Sequence, residues 1–214
     1  MSDNRINSRR EFLQKLIALT AVAGVAPWAD AFGRPYSEIR KGKLPLRPLG
    51  KTGHMVSLYS LGGQGSIEVP GREDVSVEII NRAIDLGINY IDTAAAYGRE
   101  TAAVARADAM GTSERNMGQV MKYRRKEVFL ASKTHDRTYD GSMKLLEKSL
   151  KQLNTDHLDL WQIHNVRLAE METLDRITGE GGVLKAMIKA RDEKMIRFIG
   201  FSGHEGPDVL NALN

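Results

Sequence analysis

Residues 128–166, VFLASKTHDRTYDGSMKLLEKSLKQLNTDHLDLWQIHNV, set two short apolar runs on either side of one amphipathic pattern. The runs 128–134 and 158–166 are rich in β-branched and aromatic residues, which favour the pleated, half-buried surroundings of a strand. Between them Met143, Leu146, Leu150 and Leu153 recur at the three- and four-residue spacing of a helix face. Two strands joined through a helix of this length run parallel. A parallel sheet needs helices covering its faces, so this unit predicts an α/β protein.

The same alternation continues outward in both directions. Runs at 56–63, 89–94 and 196–203 supply three more strands, and two further apolar stripes lie between the runs. One is Val77, Ile80, Ala83 and Ile84; the other is Val183, Leu184, Met187 and Ile188. Five βα units result. The 159 residues from Val56 onward give each unit about 32, so eight units would need roughly 254, near the ~250 typical of a (β/α)8 TIM barrel. The expectation is therefore such a barrel with about its first five βα units present. A Rossmann site is disfavoured. Leu61-Gly62-Gly63-Gln64-Gly65 follows the first strand, but Glu68 stands where the dinucleotide fingerprint needs its third glycine, and no helix opens there.

Composition narrows the chemistry. With 42% hydrophobic and 27% charged residues the chain can bury a core. A formal charge of +4, with no dense basic block apart from 122–126, argues for neither nucleic acid nor an anionic lipid surface as partner. There is no cysteine, which excludes disulfides, thiolate metal sites and a cysteine nucleophile within these residues. Redox chemistry here must borrow a cofactor, and no metal site is expected.

The N-terminus reads as an address. Ser8-Arg9-Arg10-Glu11-Phe12-Leu13 has the paired arginines and following Phe-Leu of a twin-arginine signal. The uncharged stretch 16–26 behind it falls short of the ~20 apolar residues a spanning helix needs, so no stable membrane anchor is expected. Ala29-Asp30-Ala31 offers a small-residue cleavage site. The expected organisation is a twin-arginine signal peptide at 1–31, a Pro- and Lys-rich linker at 32–48, and the barrel portion at 49–214, with the twin-arginine export machinery as a partner and the periplasm as destination.

Active sites of such barrels sit at the carboxyl ends of the strands. Here 89–94 ends on Asp92 with Tyr97 beyond it, 128–134 carries Lys133, and 158–166 carries His164, four ionisable groups at one mouth. With "INYIDTAAAYG", "VFLASKTH", "DHLDLWQIHN" and "IRFIGFSGH", the sequence resembles the aldo-keto reductase family from Leu46 onward. That resemblance implies hydride transfer between NADP(H), or alternatively NAD(H), and a small-molecule carbonyl or alcohol substrate. It places the family's catalytic tetrad on Asp92, Tyr97, Lys133 and His164. The chemistry explains the combination. The reduced carbonyl oxygen needs a proton, and a free tyrosine near pKa 10 holds its own too tightly unless an ammonium beside it favours the phenolate. In this scheme Asp92 holds the lysine, Tyr97 donates the proton, and His164 steadies the developing oxyanion.

The resemblance also implies cofactor contacts at Gly63, Gln64 and Ser202, although Gly203 and His204 follow Ser202 where the family usually has Asn. Residues 99–112 separate Tyr97 from Ser113 by more than the family does, and their Ala-rich make-up allows a short helix serving as a lid or substrate rim. Counterparts of strands six to eight are not expected within these residues. A non-catalytic remnant or interaction module, self-associating through open sheet edges, therefore stays open as the alternative.

Overall fold

The computed structural model describes residues 44–167, 170 and 175–205. Its centre is a parallel sheet of β3 (Leu61–Gly62), β4 (Tyr90–Asp92), β5 (Phe129–Thr134), β6 (Leu158–Ile163) and β7 (Ile196–Phe201). Each strand lies beside its predecessor in sequence. That order belongs to a sheet wound in one direction, as a barrel is; a doubly wound sheet reverses at a switch point. The connections are α1 (Glu73–Asp85), then α2 (Arg106–Ala109) and α3 (Thr112–Arg124), then α4 (Tyr139–Gln152), then α5 (Asp175–Thr178) and α6 (Val183–Asp192). The structure is thus α/β and covers the first part of a (β/α)8 barrel.

Helix positions follow from the sequence locally. Asp136 accepts from the Thr138 backbone N–H (2.7 Å) and hydroxyl (2.6 Å), and Thr138 caps α4 by accepting from the Gly141 N–H at 3.1 Å. The stripe Leu146, Leu150 and Leu153 is buried against the sheet, and Val183, Met187 and Ala190 do the same for α6. All six residues of β5 are buried, as expected of a central strand covered on both faces. The core joins Ile80, Ile91, Met117, Leu130, Leu146, Trp161 and Met187. At one end of the strands Asp159 accepts from the Leu130 N–H, Arg125 and Arg197, each at 2.8 Å, tying β5, β6 and β7 together.

α3 was not legible as an apolar stripe. Met117, Val120 and Met121 are buried, but so are Ser113, Glu114, Asn116 and Gly118. A Cβ on Gly118 would overlap the Gln152 carbonyl, so glycine sets how closely α3 crosses the end of α4. Glu114 has no solvent exposure and accepts from the Ser132 hydroxyl at 2.6 Å. Burial raises its pKa, opposed in part by the hydroxyls of Ser132 and Ser149.

The run expected as one strand at 56–63 is two elements. β1 (Leu46–Pro48) and β2 (Met55–Ser57) form an antiparallel hairpin, and only Leu61–Gly62 joins the parallel sheet. Residues 46–48, expected as the end of a linker, therefore form a strand. The corner arises because Ser57 donates its N–H to Asn89 Oδ1 (2.7 Å) and its hydroxyl to the Tyr59 carbonyl (2.6 Å), which turns the exposed residues 58–60 outward. Asn89 Nδ2 also donates to the Met55 carbonyl at 2.9 Å, fastening the hairpin to the start of β4. His54 packs edge-on against Phe129 and Phe198 with centroids 5.2 and 5.8 Å away. The hairpin thereby covers the amino-terminal end of the strands.

One face of the sheet is less covered. Tyr90, Leu160 and Phe198, at alternate strand positions, are half-buried, and among the described residues β3 and β7 each pair on one side only. No helix of the described residues is long and apolar enough to cross a membrane. The expected signal peptide, 1–31, lies outside the described residues.

Candidate active site

The carboxyl ends of β4, β5 and β6 bring four of the expected groups together. Asp92 is the last residue of β4, Lys133 the penultimate residue of β5, and His164 follows β6. Lys133 Nζ donates to Asp92 Oδ2 at 2.5 Å, to the Thr93 carbonyl at 2.8 Å and to the Tyr97 hydroxyl oxygen at 3.2 Å. The Lys133 side chain is 5% exposed and that of Asp92 27%. An ammonium so buried needs a carboxylate and filled hydrogen-bond positions, and all three of its donors are engaged. Nζ also lies 4.7 Å from the centroid of the Tyr97 ring, which stands edge-on to the His164 ring at 5.5 Å.

His164 is electrically distinct from a free histidine. Burial, then the positive charges of Lys133, His135, Arg137 and His204, push its pKa down to about 4. At neutral pH it therefore carries one N–H donor and one acceptor. Its backbone N–H donates to the Thr134 carbonyl (2.8 Å) and its carbonyl accepts from Arg137 Nη2 (2.9 Å). Arg137 is itself held by Glu170, with Nε 2.6 Å from Oε1. These bonds fix the backbone from which the imidazole projects.

Tyr97 depends on the extra segment 99–112. The Tyr97 N–H donates to the Ala94 carbonyl at 3.0 Å. From α2 the Arg106 guanidinium donates to the carbonyls of Gly98 and of Ala96, the latter at 3.1 Å. A Cβ on Gly98 would overlap the Ala109 carbonyl. The short helix expected as a lid or rim is present, and its visible work is to buttress the loop that carries the tyrosine.

The expected cofactor residues fall on two flanks. Gly63 donates its N–H to the Asp92 carbonyl at 2.7 Å, and a Cβ there would stand 2.5 Å from Ser113 Oγ and 2.9 Å from Thr93 Oγ1. Close packing on that hydroxyl pair is sufficient reason for glycine. Gln64 beside it is exposed. Ser202 lies on the other flank, where its Oγ accepts from the Asn165 N–H at 3.1 Å and its own hydrogen stays available to a ligand. Among the described residues no group of three or more His, Asp or Glu converges to hold a metal ion.

One partner of the tetrad was missed. Gln162 Nε2 donates to Asp92 Oδ1 at 3.1 Å. Its signal was present: a lone amide in an apolar strand, two residues before His164 and hence on the same strand face.

The model of the aldo/keto reductase family matches residues 59–214. L-galactose dehydrogenase from Arabidopsis thaliana is 32% identical over 173 residues, which are 75% of this chain and 49% of that protein. Among solved structures, an aldo-keto reductase from Bacillus halodurans in its holo form superposes with a TM-score of 0.62 at 25% identity, over 78% of this chain and 53% of the other. An aldo-keto reductase from Klebsiella pneumoniae in complex with NADPH gives 0.60 at 25% identity, over 82% and 54%. The chain spans about half the length of the curated relatives it matches.

Proposed function

The chain belongs to the aldo/keto reductase family, and on that footing we propose that it carries the catalytic groups of an NAD(P)H-dependent oxidoreductase acting on a small carbonyl or alcohol, with NADP(H) preferred and NAD(H) as the alternative. The observation that carries this is the Lys133 ammonium, enclosed between Asp92, the Thr93 carbonyl and the Tyr97 hydroxyl.

The residues present fit the nicotinamide end of the cofactor. Gly62 leaves open space beside Asp92, with no atom within 4 Å of where a Cβ would be. Ser202 keeps its hydroxyl hydrogen free for an amide oxygen, and Gly63 and Gln64 border the opposite flank. When bound, the reduced nicotinamide supplies the hydride that adds to the substrate carbonyl carbon. Tyr97 gives its hydroxyl proton to the carbonyl oxygen as negative charge develops there. Lys133 stabilises the phenolate left behind, while Asp92 and the Thr93 carbonyl keep the ammonium aimed at Tyr97. His164, neutral at pH 7, offers an N–H to the same oxygen. In the oxidative direction each proton retraces its path.

Tyr97→Phe should lower NADPH-dependent carbonyl reduction by the intact protein ~10²-fold or more, with nucleotide affinity largely kept. Stopped-flow turnover with fluorescence titration of NADPH checks this, and full activity in the Phe variant would remove Tyr97 from the role. L-galactose dehydrogenase and 6-dehydroglucose reductase among the relatives support starting the substrate search with sugars and their carbonyl forms.

Arg9-Arg10 and the short uncharged segment after them support a further proposal, export through the twin-arginine machinery to the periplasm. Replacing both arginines by Lys should leave the protein in the cytoplasmic fraction. Unchanged delivery by the variant would refute that address.

A further inference from the structure

We infer that Gln162 is a positioning residue, which fixes the Asp92 carboxylate so that Asp92 in turn holds Lys133 against Tyr97; the catalytic meaning of this rests on the oxidoreductase proposed above. Asp92 has two carboxylate oxygens and only Oδ2 is taken by Lys133. Its side chain is 27% exposed, so Oδ1 without a protein partner would bond to water and leave the carboxylate free to rotate. Gln162 Nε2 occupies Oδ1 instead, at 3.1 Å. The amide must present its nitrogen there, because a carboxylate oxygen only accepts.

The sheet accommodates this reach. The register sets Gln162 directly against Lys133 on β5 and against Gly200 on β7. Gly200 matters because a Cβ there would stand 3.3 Å from Gln162 Cγ and 3.1 Å from Leu160 Cδ1, tighter than most carbon contacts. A residue with a side chain would press Gln162 from behind. The type of residue at 162 matters equally. A neutral donor orients Asp92 without changing the charge of the Asp92–Lys133 pair, whereas a cation would compete with Lys133 for the carboxylate and an anion would repel it.

The test follows the Lys133 ammonium directly, by ¹⁵N NMR of the lysine-labelled intact protein. In Gln162→Leu its hydrogen exchange should quicken roughly tenfold, the scale of losing one hydrogen bond at a charged group. Gln162→Glu should be pH-reversible. Protonated, the new carboxyl donates to Asp92 as the amide does, and exchange is slow; ionised, it repels Asp92, and exchange is fast. A purely structural role would not produce that reversal. In turnover assays with NADPH and a carbonyl, kcat of the Leu variant should fall about 10- to 10²-fold with KM for NADPH little changed, and the Glu variant should regain activity as pH falls. If the Leu variant fails to fold, Gly200→Ala, which displaces Gln162 without removing it, should quicken exchange by a smaller factor. Folded Leu and Glu variants with wild-type Lys133 exchange at every pH would overturn the inference. If the ammonium responds while the wild type reduces no carbonyl, the positioning role stands and the oxidoreductase falls.

Discussion

At the scale of single residues the mouth of the sheet divides its work by charge state. Lys133 is a buried cation that spends all three donors inside the protein, whereas His164, half-buried beside it, stays uncharged because both burial and that cation oppose a second proton. The folded chain holds His164 near pKa 4 against about 6.5 unfolded, so between those values the unfolded chain binds more protons. Stability should therefore fall as pH drops from about 6.5 toward 4, and His164→Gln should flatten that part of the profile. Urea midpoints at pH 7, 5.5 and 4 measure it; an unchanged slope would mean that the imidazole charges freely. That Asp92, Lys133 and His164 would meet at one mouth was legible because ionisable residues ending apolar strands are costly unless partnered, whereas Tyr97, in the loop after β4, was indicated by the family resemblance. Gln162 carries a weaker signal, since an uncharged amide in a strand has no comparable penalty, and its partner lies 70 residues away.

At the scale of elements, legibility followed periodicity. α4 buries Leu146, Leu150 and Leu153 of its expected stripe and leaves Met143 half-buried, whereas α6 buries Val183 and Met187 but turns Ala186 and Ala190 inward in place of Leu184 and Ile188, because small residues let the helix lie close to its neighbours. α3 hides its inward face behind Ser113, Glu114, Asn116 and Gly118, residues chosen for close approach and hydrogen bonding rather than hydropathy. Apolar alternation also ran across the corner at 58–60, because the turn there depends on Asn89, distant in sequence. The buried Glu114 between α3 and β5 carries its own prediction. Its pKa is raised in the fold, so the stability it contributes is full below the unfolded value and is lost as pH rises through the folded one. Glu114→Gln keeps the shape and accepts from Ser132 with no charge to desolvate. The variant should be more stable than wild type at pH 8, by about 1 kcal/mol or more, and lose that advantage near pH 4. Guanidinium unfolding at the two pH values decides; equal pH profiles would place an ionised carboxylate in the core.

At the scale of the whole molecule, the sheet has, among the described residues, two edges and a face carrying Tyr90, Leu160 and Phe198 only half-buried. Unpaired strand edges and apolar faces of this kind drive association. The 214-residue chain produced by itself should therefore run as oligomers or aggregates in light scattering, and bind NADPH only weakly until further βα units are supplied. A monodisperse monomer with micromolar NADPH affinity would show that five units can close by another route.

The hairpin beneath the sheet links events far apart in the life of the chain. His54 rests on Phe198, so part of the seat of the first described element is the last described strand. A ribosome adding about 5–20 residues per second needs roughly 7 to 30 s to travel from one to the other. Throughout that interval the hairpin has Asn89 and Phe129 to lean on, and then only after each has emerged. Part of the floor of the sheet is thus sealed by a strand made long after the pieces it covers, so that a factor sheltering the nascent chain has reason to hold the hairpin until β7 arrives.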